Sequence, residues 1–273
     1  MPSGGNSSPG AGQDAARSLT ELDAITRRLR RECPWDREQD ERSIVPHTVE
    51  EAYELADAAE QGDDRKLLDE LGDVLFQVHF LSLLLEERGA GDLSQVAAHV
   101  TQKLIRRHPH VFGETEVRDA ADVLRNWDEI KRGEPGREPG VFGEVPENLP
   151  ALLHARKVQR RAASSGFDFP DDDLAGPLQS VQDELAELQA ATTEEERFHE
   201  LGDLLFAVVN VARKTKVDPE LALRAASGRF RSRITAAGEL AASDGGSWDD
   251  LAPEEQLAYY ARARLSQGDR HQT

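Results

Sequence analysis

The sequence predicts an all-α fold made of two tandem copies of one helical module. Three observations carry that expectation. Alanine, leucine, glutamate and arginine abound while aromatics are 5% of residues, a mix that favours helices with solvated faces over a β-sandwich. Apolar residues recur at spacings of three and four, and strand-like alternation between turn signals is absent. Finally, a seven-residue phrase occurs twice, ELGDVLF at 70–76 and ELGDLLF at 200–206.

Each element follows in order. Residues 1–17 are mostly Gly, Ser, Pro and Ala and read as a disordered tail. From Ser18 a helix runs with Leu19, Leu22, Ile25 and Leu29 on one face, and Cys33-Pro34-Trp35-Asp36 stops it. A second helix is expected from about Thr48, just past Pro46, up to the turn at Gly62-Asp63-Asp64. A long apolar helix over roughly 65–88, a break at Gly89-Ala90-Gly91, and helices over 93–107 and about 119–132 complete a first domain, 18–131. Residues 132–150, RGEPGREPGVFGEVPENLP, read as a linker. A second domain, 151–265, restarts the pattern: HARKVQRRAASSGFDF, then helices near 174–191, 194–216, 218–241 and 253–265. Residues 266–273 form a tail.

Composition excludes several roles. With 33 basic and 52 acidic residues the formal charge is -19, which repels nucleic-acid backbones and anionic membranes. An anionic substrate would need a basic pocket or bound cations. Cys33 is the only cysteine, so no disulfide forms within the chain and a reducing, cytoplasmic setting is expected. No stretch has the length and apolarity of a signal peptide or a membrane span.

The repeat carries acids where apolar residues dominate. Positions three apart share a helix face, so Glu51 with Glu54 and Glu70 with Asp73 form a stripe in the first copy. Glu184 with Glu187 and Glu200 with Asp203 form it in the second, where Asn210 extends it. The helix around 200–210 is expected to be nearly surrounded by protein. Burying unpaired carboxylates costs on the order of several kcal/mol per ion even after relaxation, so protonation, a basic partner or a divalent cation must relieve them. Four acids without His or Cys make a hard oxygen site suited to Mg²⁺ or Mn²⁺. A carboxylate-bridged redox centre would want Glu-x-x-His pairs with the histidine on the acid stripe, and neither His79 nor His199 falls there.

These residues resemble the MazG family of all-α nucleoside triphosphate pyrophosphohydrolases. The likeness rests on Glu-x-x-Glu followed by Glu-x-x-Asp in both copies, with CPWDREQ (33–39), KLIRRHPHVFG (103–113), ARKVQRRAASSGFDF (155–169) and NVAR after the second ELGD. It implies two MazG-like helical bundles completed by homodimerisation, and Mg²⁺-dependent hydrolysis of nucleoside triphosphates to monophosphate and pyrophosphate. The eight acids would be the metal ligands, with Glu184, Glu187, Glu200 and Asp203 catalytic. Lys103, Arg107, Arg229 and Arg233 would meet phosphate, Trp127 and Tyr260 the base, and Asn210 the substrate. Ser227, Arg229 and Ile234 stand where the family commonly has asparagine, lysine and phenylalanine, and Tyr260 where it has tryptophan. Taken alone, Lys103 and Arg107 also suit solvated helix-end charges, and Trp127 a core anchor. Broad clearing of surplus or abnormal nucleotides is the expected role. The alternative is a chain in which one or both copies serve as a non-catalytic dimerisation or regulatory module.

Overall fold

The computed structural model describes residues 9–119, 122–123, 126–127, 130, 133, 140–143, 145–170 and 173–268. Among them every regular element is helical, as the sequence predicts. The chain divides into two compact units, Met1–Lys131 and Arg132–Thr273.

The first unit runs α1 (Pro9–Glu32), α2 (Pro34–Glu38), α3 (Glu41–Gln61), α4 (Asp64–Glu87), α5 (Leu93–Arg107) and α6 (Pro109–Phe112). Helix α1 starts well before Ser18, inside the expected tail. Proline is tolerated in a first turn, where its missing N–H has no partner to lose, and the alanines and glutamine that follow are good helix formers. Residues 12–20 are exposed, so this stretch adds no core. Further along, α1 is tied to α4: Arg27 donates to both oxygens of Glu86 at 2.9 and 2.6 Å, and Arg30 to both oxygens of Glu87 at 2.9 and 2.8 Å.

Helix α3 also begins earlier than expected, with Pro46 inside it. The cause is a reciprocal cap. The Asp40 carboxylate accepts from the Ser43 N–H and the Ser43 hydroxyl accepts from the Asp40 N–H, each at 2.9 Å. That cap launches the helix more than a turn ahead of the proline, and Ile44 (2% exposed) anchors it. At its far end Gly62 adopts φ 66°, returning its N–H to Ala58 and Ala59, a conformation that strains residues with a β-carbon. Asp63 then caps α4 through the N–H groups of Arg65 and Lys66. A turn this short folds α3 and α4 into a hairpin whose core holds Ile44, Phe80 and Leu84. The helix expected over 119–132 lies partly outside the described residues; 122–123, 126–127 and 130 are helical. Much of the expected linker and the end of the chain likewise lie outside them.

The second unit runs α7 (Ala151–Ser164), α8 (Ala175–Ala190), α9 (Glu194–Lys214), α10 (Pro219–Ser243), a 3-10 turn (Trp248–Asp250) and α11 (Pro253–Gly268). Thr193 and Glu196 cap α9 reciprocally. The Glu196 carboxylate takes the Thr193 and Thr192 N–H groups and the Thr192 hydroxyl, and its pKa falls to about 2. The short Ala191–Thr193 connection makes α8 and α9 a second hairpin. Helix α7 lies on α9, with Gln159 Nε2 donating to the Phe206 carbonyl at 2.7 Å. Asp244 joins α10 to α11 by accepting from Tyr259 at 3.1 Å and Arg262 at 2.7 Å.

One expectation needs correcting. Helix α9 is not surrounded within its own chain: Phe198, Leu201, Leu205 and Val208 are 45–76% exposed, while Ala207 and Val209 carry the burial. Among the described residues, packing covers mainly the sides that meet α7 and α8. Leu68, Leu71, Leu75 and Val78 form the same exposed stripe on α4, at the same distances from the acid pair.

Candidate functional site

Each hairpin brings its two acid pairs together because helical spacing puts both members of a pair on the facing side. In the first unit, carboxylate oxygens of Glu51, Glu70 and Asp73 lie within 4.8 Å of one another; in the second, those of Glu184, Glu187 and Glu200 do the same. Glu54 and Asp203 stand outside these groups of three but remain in their field. Burial raises the pKa of Glu51 first, followed by the charges of Asp73, Glu54 and Glu70. Glu70, 5% exposed, is raised by burial and then by Glu54, against the pull of Lys66 at 4.0 Å. Glu184 is raised by burial and by Glu187, Asp203 and Glu200.

This donor set suits a hard divalent cation. Every group in both clusters is a carboxylate, and their shared charge with partial burial makes bound positive charge favourable. Histidines are absent from both: His79 is buried on another face of α4, and His199 packs edge-on against Phe198.

The hairpins differ one to two turns beyond the second acid pair. Counting seven and ten residues from Glu70 and from Glu200 gives Gln77 and Phe80 on α4, but Ala207 and Asn210 on α9. Phe80 is fully buried, its ring 5.9 Å from that of Phe76 and 5.9 Å from the Arg30 guanidinium. Ala207 and Asn210 instead line a cavity of about 620 Å³, with Glu184 and Asp203 also in its wall. Arg213 holds Asn210 through two hydrogen bonds to Oδ1, at 3.0 and 2.7 Å, and is itself ion-paired with Asp168. That pairing draws the Asp168 carboxyl below its usual range.

Sequence reasoning passed over several cavity residues: Phe142, Val158, Gln159, Phe167 and Phe169. A usable signal existed in GFDFP, where aromatics flank an acid outside any helical pattern. A second was Gly176, where an added β-carbon would sit 2.7 Å from the Phe169 ring. Only glycine lets that ring lie so close to the start of α8.

The remaining candidates occupy other places. Lys103 and Arg107 are half-buried near the end of α5, with the Arg107 guanidinium 6.0 Å from the Trp127 ring. Arg229 is exposed and Arg233 half-buried on α10. Tyr260 on α11 packs against Phe230, ring centres 5.7 Å apart. Of the expected substrate contacts in this unit, Asn210 lines the cavity, whereas Arg229, Arg233 and Tyr260 are not among its wall residues.

Comparison with known proteins gives consistent matches. Residues 39–112 match the family model of the MazG nucleotide pyrophosphohydrolase domain. The chain is 38% identical over 255 residues to the nucleoside triphosphate pyrophosphohydrolase/pyrophosphatase MazG of Thermotoga maritima, covering 92% of this chain and 98% of that protein. It is 38% identical over 220 residues to the nucleoside triphosphate pyrophosphohydrolase of Escherichia coli (strain K12), covering 78% and 83%. With the protein of that name from Mycobacterium tuberculosis it shares 33% identity over 159 residues, 56% of this chain and 48% of that one.

Proposed function

The chain belongs to the MazG nucleotide pyrophosphohydrolase family, and from that premise we propose that it hydrolyses nucleoside triphosphates to the monophosphate and pyrophosphate. The observation that carries this reading is the gathering of three carboxylates within 4.8 Å beside a cavity whose wall includes one of them, Glu184, together with the neighbouring Asp203. Glu184, Glu187, Glu200 and Asp203 would hold Mg²⁺, or Mn²⁺ in its place, a cation that offsets triphosphate charge and lowers the pKa of water when bound. Arg229 and Arg233 are the phosphate contacts, and Asn210, its Oδ1 engaged by Arg213, keeps its amide N–H groups for substrate. The role is broad clearing of surplus nucleotides in the cytoplasm. A formal charge of -19 works against nucleic-acid binding.

In this reading the chain holds two MazG-like modules, and the second is the catalytic one. The first keeps its acids, Glu51, Glu54, Glu70 and Asp73, but fills the matching interior with Phe80 and Gln77, which favours a non-catalytic role for it. Lys103, Arg107 and Trp127 then have no turnover to support. Homodimerisation would cover the apolar stripes on α4 and α9.

The test is pyrophosphate release from a panel of nucleoside triphosphates with Mg²⁺, comparing Glu70→Ala with Glu200→Ala. Loss only in Glu200→Ala supports the reading in full. Loss only in Glu70→Ala moves catalysis to the first unit, and unchanged release in both variants and their combination rejects the acid clusters as the metal sites.

A further inference from the structure

Gln159 is a buried polar group of the second unit that the proposed reaction does not use. It is 7% exposed, on α7, and faces the cavity. Its Nε2 donates to the Phe206 carbonyl at 2.7 Å. A carbonyl only accepts, so this bond fixes which end of the amide is nitrogen. The other end, Oε1, is buried and has no hydrogen-bond partner. An orphaned acceptor of that kind costs stability unless something supplies a donor.

The surroundings narrow what that donor is. Four of the nine phenylalanines in the chain, Phe142, Phe167, Phe169 and Phe206, line this one cavity. They are not packed away: Phe167 is 83% and Phe142 52% exposed. Flat apolar walls, a fixed acceptor, and carboxylates at Glu184 and Asp203 in the same wall call for a planar ligand. It must carry an N–H at its edge and be tethered to a group held at the acid cluster. We infer that the cavity receives the nucleobase and that Gln159 Oε1 accepts a hydrogen bond from an N–H on the base's pairing edge. This rests on the triphosphate reading above. It sets the base against α7 and the Phe167–Phe169 segment, away from Tyr260 on α11. Aromatic walls stack on any base and every standard base carries an N–H on its pairing edge, so the pocket tolerates several, and Gln159 discriminates only against bases that lack that donor.

Matched substrate pairs test this. Purine riboside triphosphate lacks the pairing-edge N–H of ATP, and 3-methyl-UTP lacks that of UTP. For the wild type, kcat/KM should favour the donor-bearing member by about tenfold or more, as expected when a buried acceptor would otherwise stay unpaired. In Gln159→Met the ratio should collapse to about twofold or less, chiefly by weakening the donor-bearing member. Binding of the α,β-imido analogues of the same pairs, which cannot release pyrophosphate, gives a second readout. Wild type that binds with the expected preference but releases no pyrophosphate keeps the pocket and sinks the reaction. Wild type that hydrolyses, with a ratio unmoved by Gln159→Met, sinks the pocket and keeps the reaction. If Gln159→Met does not fold, Ala162→Phe fills the cavity from α7 and should weaken analogue binding by about tenfold. Unweakened binding there, or a cavity covered by a second copy of the chain regardless of nucleotide, overturns the proposal.

Discussion

The α3–α4 and α8–α9 hairpins share their acids and differ in what lies beside them. Three carboxylates meet within 4.8 Å in each. Yet α4 continues into Phe80, which closes a core with Ile44 and Leu84, whereas α9 continues into Asn210 at the margin of a cavity. Two like acid clusters therefore have unlike neighbours one to two turns further along their helices. Among the described residues, the first hairpin packs Phe80 where the second borders a cavity with Asn210.

Four experiments would break or sharpen that contrast. The largest effect is expected from Glu200→Ala, which should lower pyrophosphate release on the order of 10²–10³-fold, while Glu70→Ala changes it little. Equal losses in initial-rate assays would erase the functional difference between the hairpins. Next, Phe80→Ala should cost the first unit about 3–5 kcal/mol in urea unfolding, the usual toll of truncating a buried ring, without a matching loss of turnover. Third, giving the second hairpin the first one's residues, Ala207→Gln with Asn210→Phe, should weaken nucleotide binding by about tenfold in calorimetry. Undiminished binding would show that the open interior does not matter.

The smallest effect concerns cation and pH. Glu51, Glu70 and Glu184 have folded-state pKa values raised above their unfolded ones, chiefly by burial. Such acids cost stability once pH exceeds both values and cost nothing below them. Mg²⁺ should therefore raise the melting temperature by about 3–5 °C near pH 8, at tenfold over its dissociation constant, and progressively less as pH falls through the carboxylate range. Asp168 works oppositely. Its depressed pKa means that its pairing with Arg213 stabilises at neutral pH and is lost as acid protonates it.

How much was legible follows from physical range. Helices and acid pairs depend on residues three or four apart, so Glu70 with Asp73 and Glu200 with Asp203 could be read directly. Helix α1 starts ahead of Ser18 because a stretch with little to bury can still be helical, and α3 starts ahead of Pro46 because a cap such as Asp40 with Ser43 launches a helix upstream of a proline. Gln159 escaped notice for another reason. Its orphaned oxygen exists only because Phe206, 47 positions on, brings a carbonyl to its other end. Exposure of α9 was likewise hidden, since an apolar stripe reads the same whether its own chain or another covers it.

The stripes Leu68–Leu71–Leu75–Val78 and Phe198–Leu201–Leu205–Val208 bear on what thermal stability would mean for this protein. Where pairing of copies covers those residues, part of the hydrophobic driving force belongs to association and varies with dilution. A polar substitution there would pass unnoticed in a concentrated sample and unfold the same enzyme in a dilute one.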